Sequence, residues 1–417
     1  MNSVPDHADV VVVGAGLAGL NAARELARRD VDVVVLESAD RVGGRVATDE
    51  ADGRLLDRGF QLYNPAYPEG ARVFDPTALA LRPFARGVTV MGDRGAVALQ
   101  DPRKAPLSLA QLTRVPGGPL ALARFAAYLA QCGYTSPKQL QHRPDLPIGE
   151  VLDQAVRSRE LTDSLIRPFL AGVFADRSLG ASRRYADLVL RAFARGTPSL
   201  PGQGMAALPR SLAHDVGSER IHCGVEVTAV RPGAVQHNGG TTTAQRVIVA
   251  TDGTTAARLV PGVPAPTWNA LTTWYFSAPL GSMPADPKLL MVDGRSRGVL
   301  VNVAAVSAVA PRYARPGELL VAATAVGAHD GDAGARRHLA ILIPGADQWE
   351  LVGRYEIPQA LPALDPPADL RAPQDFDGIL VAGDHRDTPS IQGALVSGRR
   401  AARTAWDELV VVPPRRP

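Results

Sequence analysis

The sequence predicts an α/β protein, in which a parallel sheet covered by helices carries an inserted domain of mixed α+β character. Three observations predict it. Four consecutive valines, Val10 to Val13, run straight into a glycine-rich turn, as in a central parallel strand that is apolar on both faces. A helical pattern and a second valine-rich strand, Val33 to Leu36, follow at once. Far downstream, VIVATDG and GILVAGD repeat the pattern of a short apolar strand ending in a glycine-bearing turn, so the chain leaves the first sheet and returns to it twice.

The first unit is Asp9 to Arg45. Gly14, Gly16 and Gly19 form GxGxxG: the first glycine allows the bend, the second lets a diphosphate approach the backbone, and the third lets helix and strand pack closely. The helix is expected from Leu17 to about Arg29, with Leu20, Ala23 and Leu26 toward the sheet and Arg24, Glu25, Arg28 and Arg29 mostly outward. The second strand delivers Glu37, where a carboxylate accepts hydrogen bonds from ribose hydroxyls. The order strand, turn, helix, strand, acid makes this a dinucleotide site, giving a Rossmann-like domain. The continuation Arg41 to Arg45, RVGGR, decides the cofactor: a second glycine pair and a fixed guanidinium suit FAD, which extends past the first turn, better than a nicotinamide.

Composition sets limits. The 417 residues, 46% apolar and 21% charged, suit two or three soluble domains. A net charge of +3 argues against a dedicated nucleic-acid binder, and the three lysines, Lys104, Lys138 and Lys288, suggest the codon usage of a GC-rich bacterium. Cys132 and Cys223 lie far apart without metal-ligand spacing, so no metal and no disulfide is expected. No signal-peptide pattern opens the chain and no apolar run reaches membrane-spanning length. A cytoplasmic location is expected.

Beyond Arg45, Asp52-Gly53 signals a hairpin. Gly59, Phe60, Gln61, Tyr63 and Tyr67 follow, read as a loop laid against a flavin ring, with an edge hairpin and surface loop as the plainer reading. Extended pieces at Val88 to Val90 and Val97 to Leu99 give way to helices between Leu107 and Ala194. Pro119 to Cys132 carries one charge and stands open to two readings: a buried helix, or the wall of a greasy groove that also offers a membrane-contacting face. Ser199 to Val216 is a glycine-bearing turn feeding a helix. An antiparallel sheet turning at Asn238-Gly239 follows, and then strands from Thr267 to about Gly327. The tail from 411 to 417 is expected to fray.

Four blocks together resemble the superfamily of FAD-dependent amine oxidases, phytoene desaturases and protoporphyrinogen oxidases: GAGLAGLNAARELARR with LESADRVGGR, PGQGMAALPRSL, VEVTAV to VIVATD, and VAGDHRDTPSIQGALVSGRRAA. The resemblance implies a GR2-type flavoprotein. Its FAD domain would come from about 1–75, 199–256 and 365–410, and its substrate domain from 76–198 and 257–364. It implies that Gly14, Gly16, Leu17, Ala18, Gly19, Gly43, Gly44 and Arg45 hold the diphosphate, Glu37 and Ser38 the ribose, and Val227 the adenine. Thr251, Gly383 and Asp384 would follow the ribityl and diphosphate arm. The last helix, beginning at Gln392, Gly393 and Ala394, would aim its N-terminus at flavin N1 and the C2 carbonyl. His385 is read as a supporting or solvent residue and not a catalyst.

No cysteine lies near the last motif, so FAD is expected to be non-covalent. Some relatives carry a lysine near flavin N5; TTWYFSAP, the segment corresponding to that strand, has none, and Lys288 is expected on a surface loop. The activity implied is hydride removal by flavin N5 from a small, largely apolar substrate, forming a carbon–carbon double bond, with oxygen or a quinone as acceptor. Tyr63, Tyr67 and Tyr275 are pocket candidates and no base stands out. The rivals are a flavin amine oxidase, a non-redox isomerase or mutase, and a non-enzymatic binding protein like the Rab escort-type relatives.

Overall fold

In a computed structural model, which describes residues 3–93, 95–100 and 114–411, β1 (His7–Val13) is central to an eight-stranded sheet. It pairs in parallel with β2 (Val33–Glu37) on one side and with the strand Gly240–Val249 on the other. Ile221–Cys223 extends the parallel ladder beyond β2, and Ile379–Val381 extends it beyond Gly240–Val249. The valine run is continuous because two cores claim alternate residues. Val10 and Val12 face α1 (Leu17–Ala27) and the last helix (Ile391–Val411), whereas Val11 and Val13 face the helix Gly253–Leu259.

Helix α1 ends earlier than its periodicity predicts, because Asp30 turns left-handed at φ 58°. Arg24 and Glu25 are buried, not outward. The helix Ala207–Val216 and the last helix flank α1 on both sides, and Arg24 Nε reaches Asp215 there at 2.7 Å. The two-residue connections Asp52-Gly53 and Asn238-Gly239 each join an antiparallel pair. One is β3 (Thr48–Ala51) with β4 (Arg54–Asp57), the other Ala234–His237 with Gly240–Val249.

A second sheet has seven strands, in the order Glu350–Pro362, Trp268–Pro279, Glu318–Val326, Leu300–Ala305, Leu290–Asp293, Gly87–Gly92 and Gly95–Gln100. Helices between residues 118 and 195 pack against it. The helix expected from Pro119 to Cys132 spans Gly118–Tyr134, but it buries only Ala121, Tyr128, Cys132 and Gly133. Leu120 is 63% exposed and Tyr134 91%, so the fully buried reading fails: the helix is covered on one side, by Ile148–Val156 and Arg183–Arg195, and open on the other. The helical reading from Leu107 to Thr113 and the tail Val412–Pro417 lie outside the described residues. Among the described residues, no helix is long and apolar enough to cross a membrane, and no group of three or more ligating side chains could hold a metal.

Candidate cofactor and active site

The two glycine turns have different physical duties at each position. A Cβ on Gly14 would lie 2.9 Å from the Ala250 carbonyl, and one on Gly19 would lie 2.0 Å from the Gly14 carbonyl. Both glycines therefore exist to let strand, turn and helix close on one another. Gly16 differs: its Cβ would meet nothing within 4 Å, and one on Gly44 only the Gly16 Cα at 3.6 Å. These two border open space above the turn, the cradle a diphosphate requires. Gly43 holds them together, donating its amide to the Ala15 carbonyl at 2.9 Å. Leu17 and Ala18 are buried beneath, where the last helix crosses so closely that a Cβ on Gly398 would meet the Ala18 carbonyl at 2.0 Å.

Glu37 sits at the end of β2 with its carboxylate nearly buried. One oxygen accepts from the Ala15 amide at 2.7 Å, the other from the Ala39 amide at 2.9 Å and from Ser38 Oγ at 3.4 Å. The lone pairs that remain suit ribose hydroxyls. Val227 is buried on the strand Val227–Arg231, which pairs with Ala234–His237. Cys223 pairs with Glu37 in the ladder, which puts that thiol beside the end of β2, away from the final motif. Cys132 is buried, and burial pushes its pKa up to about 12, with the Asp187 carboxylate adding to the rise.

Arg45 joins the first cofactor segment to the last. Its guanidinium donates to Asp384 at 2.5 Å and to the Ala360 carbonyl at 3.0 Å, and it stacks 5.2 Å from the Trp268 ring centroid. Burial works against its charge, but Asp384 beside it, with Asp252 further off, raises its pKa above the ordinary arginine value. Gly383 reaches Asp384 in a left-handed turn at φ 153°, its amide held by Ser397 Oγ. Thr251 lies at the end of Gly240–Val249, against the Gly14 turn. The last helix is capped by Ser390, whose Oγ accepts from the Gly393 amide at 3.0 Å while its carbonyl accepts from Ala394. Gly393 is glycine because a Cβ there would strike the Thr388 carbonyl. Gln392 turns back to accept the Glu69 amide at 2.9 Å.

The loop after β4 is only partly as expected. Gln61 donates to the Arg45 carbonyl, so it braces the arginine. The Phe60 amide donates to Thr273 Oγ1 at 3.3 Å, and its ring meets Phe84 edge-on. The close approach at Gly59 is to Ile357, 2.5 Å from where a Cβ would lie, so this glycine makes room for a side chain of the second sheet. Two of the three pocket tyrosines are corrected. Tyr63 and Tyr275 are each 1% exposed, packed against Phe74 and Tyr355 respectively, and the Tyr275 hydroxyl donates to the Asp57 carbonyl at 2.9 Å. Tyr67 is half-buried and meets the Tyr63 ring edge-on; burial pushes its pKa up to about 12, so its hydroxyl is neutral.

Several residues escaped sequence reasoning. Asp57 is buried and accepts from Thr48 Oγ1, the Met205 amide and Tyr313 Oη. Trp268 covers Arg45, and Tyr185 Oη donates to the Pro389 carbonyl ahead of the last helix. Apart from the Thr48–Asp57 bond across the β3–β4 hairpin, each contact spans a long sequence separation, and nothing local announces it. The face of the second sheet toward the nucleotide domain carries Thr273, Tyr275, Ala304, Ala322, Thr324 and Asn302. Lys288 is exposed on a loop, as expected. A groove of about 480 Å³, lined by residues such as Leu280, Met283, Pro311 and Arg315, shares no residue with the cradle.

Residues 17–280, more than half of the chain, match the family described as flavin containing amine oxidoreductase. A stretch of 71 residues is 48% identical to putrescine oxidase of Kocuria rosea, covering 17% of this chain and 15% of that protein. Another of 63 residues is 46% identical to coproporphyrinogen III oxidase of Propionibacterium freudenreichii subsp. freudenreichii, covering 14% and 12%. The matched stretches thus span well under a fifth of these relatives. In three dimensions the chain is similar to cyclohexylamine oxidase from Brevibacterium oxydans IH-35A, with a TM-score of 0.73 at 17% identity over 97% of this chain and 100% of that one, a likeness of fold.

Proposed function

The chain belongs to the flavin-containing amine oxidoreductase family, and from that premise we propose that it is an FAD-dependent oxidoreductase that dehydrogenates a small, largely apolar substrate at a carbon–carbon bond. When bound, FAD supplies a two-electron oxidant able to take a hydride at N5. The chain's own residues bind and orient. Gly16 and Gly44 open the diphosphate cradle, Glu37 receives the ribose, Arg45 and Asp384 fix the middle of the cofactor, and the capped N-terminus of the last helix offers partial positive charge toward the flavin.

One observation carries the substrate reading. Among the described residues, the sheet face toward the nucleotide domain presents hydroxyl, amide and methyl groups but no free acid, base or lysine: Thr273 and Thr324 pair at 3.1 Å, and the Tyr275 hydroxyl is occupied. Such a face suits a substrate recognised by shape and apolar contact, with oxygen or a quinone as final acceptor. We divide the chain accordingly into an FAD domain of 1–75, 199–256 and 365–410 and a substrate domain of 76–198 and 257–364.

Amine oxidation is the second reading, favoured by the family match over residues 17–280 and by the local identity to putrescine oxidase. Anaerobic mixing separates the two. Bleaching of the bound flavin by polyenes or porphyrinogens and not by primary amines or polyamines is expected. Bleaching by amines alone would overturn carbon–carbon dehydrogenation in favour of amine oxidation.

A further inference from the structure

Between the last helix and the loop that begins at Arg371 lies a second groove, of about 500 Å³, which shares no residue with the cofactor cradle. Leu380 and Gln374, both buried, close its inner side. Its walls carry four arginines, Arg371, Arg399, Arg400 and Arg403, against two acids, Asp375 and Asp407, an excess of two positive charges. The arginines are unequally committed. Arg399 donates to the buried Glu69 at 2.8 Å, and Arg400 to the Ala372 carbonyl at 3.1 Å, the Arg386 carbonyl at 3.2 Å and Asp387 at 3.3 Å. The Arg371 guanidinium makes no hydrogen bond or ion pair among the described residues, and Arg403 meets only Asp407, at 3.9 Å. Asp375 is turned into its own loop, where it accepts the Gly378 amide at 2.9 Å.

We propose that this groove binds a small phosphate-bearing anion, gripped by Arg371 from the loop and Arg403 from the helix. A concave surface with an excess of one sign of charge gathers counter-ions. Each guanidinium is a planar fork matched to two phosphate oxygens, and a dianion satisfies two forks where a carboxylate is saturated by one. The groove is also short of negative charge on its inner side: burial lowers the Arg400 pKa, with Asp387 and Asp369 opposing the drop and Arg371 adding to it. An anion here would relieve that repulsion. It would also brace the segment that runs on through Ile379–Val381 to Asp384.

The test is calorimetric titration of pyrophosphate, at constant ionic strength in chloride, into flavin-loaded protein, whose filled cradle cannot itself take up the diphosphate. Wild type is expected to bind one pyrophosphate per chain, and Arg371→Ala and Arg403→Ala to weaken it roughly tenfold or more. Flavin content and thermal midpoint should match the wild type, because neither arginine holds a close partner in the protein. Two more probes distinguish the source of the phosphate. Binding of AMP identifies a soluble phosphate compound, and sedimentation with phosphatidylglycerol vesicles that is lost in Arg371→Ala identifies a lipid headgroup; either supports the site. Wild-type protein that binds neither pyrophosphate, AMP nor vesicles would overturn it, as would affinity within about twofold of wild type in either variant. A chain that carries no flavin would overturn the cofactor reading instead, and the same variants would still decide the groove, since neither touches the cradle.

Discussion

At the scale of single residues, side-chain volume and ionisation decide. Gly16 has φ −73°, a conformation open to any residue, and a Cβ there touches nothing. Gly16→Ala is therefore expected to leave the thermal midpoint of the flavin-free protein unchanged while sharply reducing FAD retained through purification; retained flavin at wild-type stoichiometry would show that the cradle lies elsewhere. Glu37→Ala removes an acceptor that also ties down the Ala15 amide. It should weaken FAD by an amount typical of hydrogen bonds to charged groups, about 1.5–3 kcal/mol, read as a rise in dissociation constant of at least tenfold. Asp57 behaves differently. Burial pushes its carboxyl up to about 6, above the usual 3.8, with hydrogen bonds from Thr48, Met205 and Tyr313 opposing the rise. The folded protein then holds a proton that the unfolded chain has released, so stability present below pH 4 is lost as pH climbs through 6. Two pH units correspond to about 3 kcal/mol. Asp57→Asn should flatten that dependence and raise the thermal midpoint at pH 7; a variant that keeps the wild-type slope would contradict it.

At the scale of elements, what was legible in the sequence is what depends on neighbours in the chain. Strand, glycine turn, helix, strand and acid could be read from residues 9–45 because each feature is local. The two hairpin turns carry their own signature for the same reason. The fate of α1's flanks was not legible: Arg24 and Glu25 read as outward until the helix Ala207–Val216 and the last helix cover them. Likewise, a tyrosine in a loop or on a strand reads equally as pocket lining or as core, and only tertiary packing sends Tyr63 and Tyr275 inside. Glycines on helices were also ambiguous. Gly398 looks like an indifferent small residue, yet it permits the close crossing over Ala18. Gly398→Leu should force the last helix off α1 and cost more than about 3 kcal/mol, the range of severe overpacking, measured by chemical denaturation. A loss below 1 kcal/mol would mean that the helices part without penalty.

At the scale of the whole molecule, the cofactor site is assembled from distant parts. The Arg45–Asp384 pair spans 339 residues of sequence and is surrounded by Trp268, Ala360 and Gln61. A double-mutant cycle with Arg45→Met and Asp384→Asn, read by the temperature of flavin release, should give a coupling of about 1–3 kcal/mol, as for a charge-assisted bond shielded from water. Additive effects would show that the two ends bind FAD independently. The second sheet is fastened to the β3–β4 hairpin by Arg54, which reaches Glu318 with two bonds at 2.8 and 2.9 Å. Burial works against the charge of Glu318, but Arg54 and other donors hold its pKa at about 2. This contribution is complete above the ordinary glutamate value and fades as pH falls toward 2, so acid should loosen the second sheet from the β3–β4 hairpin.

The strand Ile379–Val381 completes the parallel ladder on the far side of Gly240–Val249, and it is made almost last. A ribosome adding about 5–20 residues per second would finish Gly240–Val249 and then need about 6–26 s before the residues that cover its far edge emerge. Over that interval Val247, Ile248 and Val249 expose an unpaired apolar edge of the kind that recruits other strands. Newly made chains would need that edge shielded, and free flavin could not do it, because Asp384 arrives with the same late segment. Supplying riboflavin to an expressing cell should therefore rescue finished chains from turnover without reducing the aggregation of nascent ones.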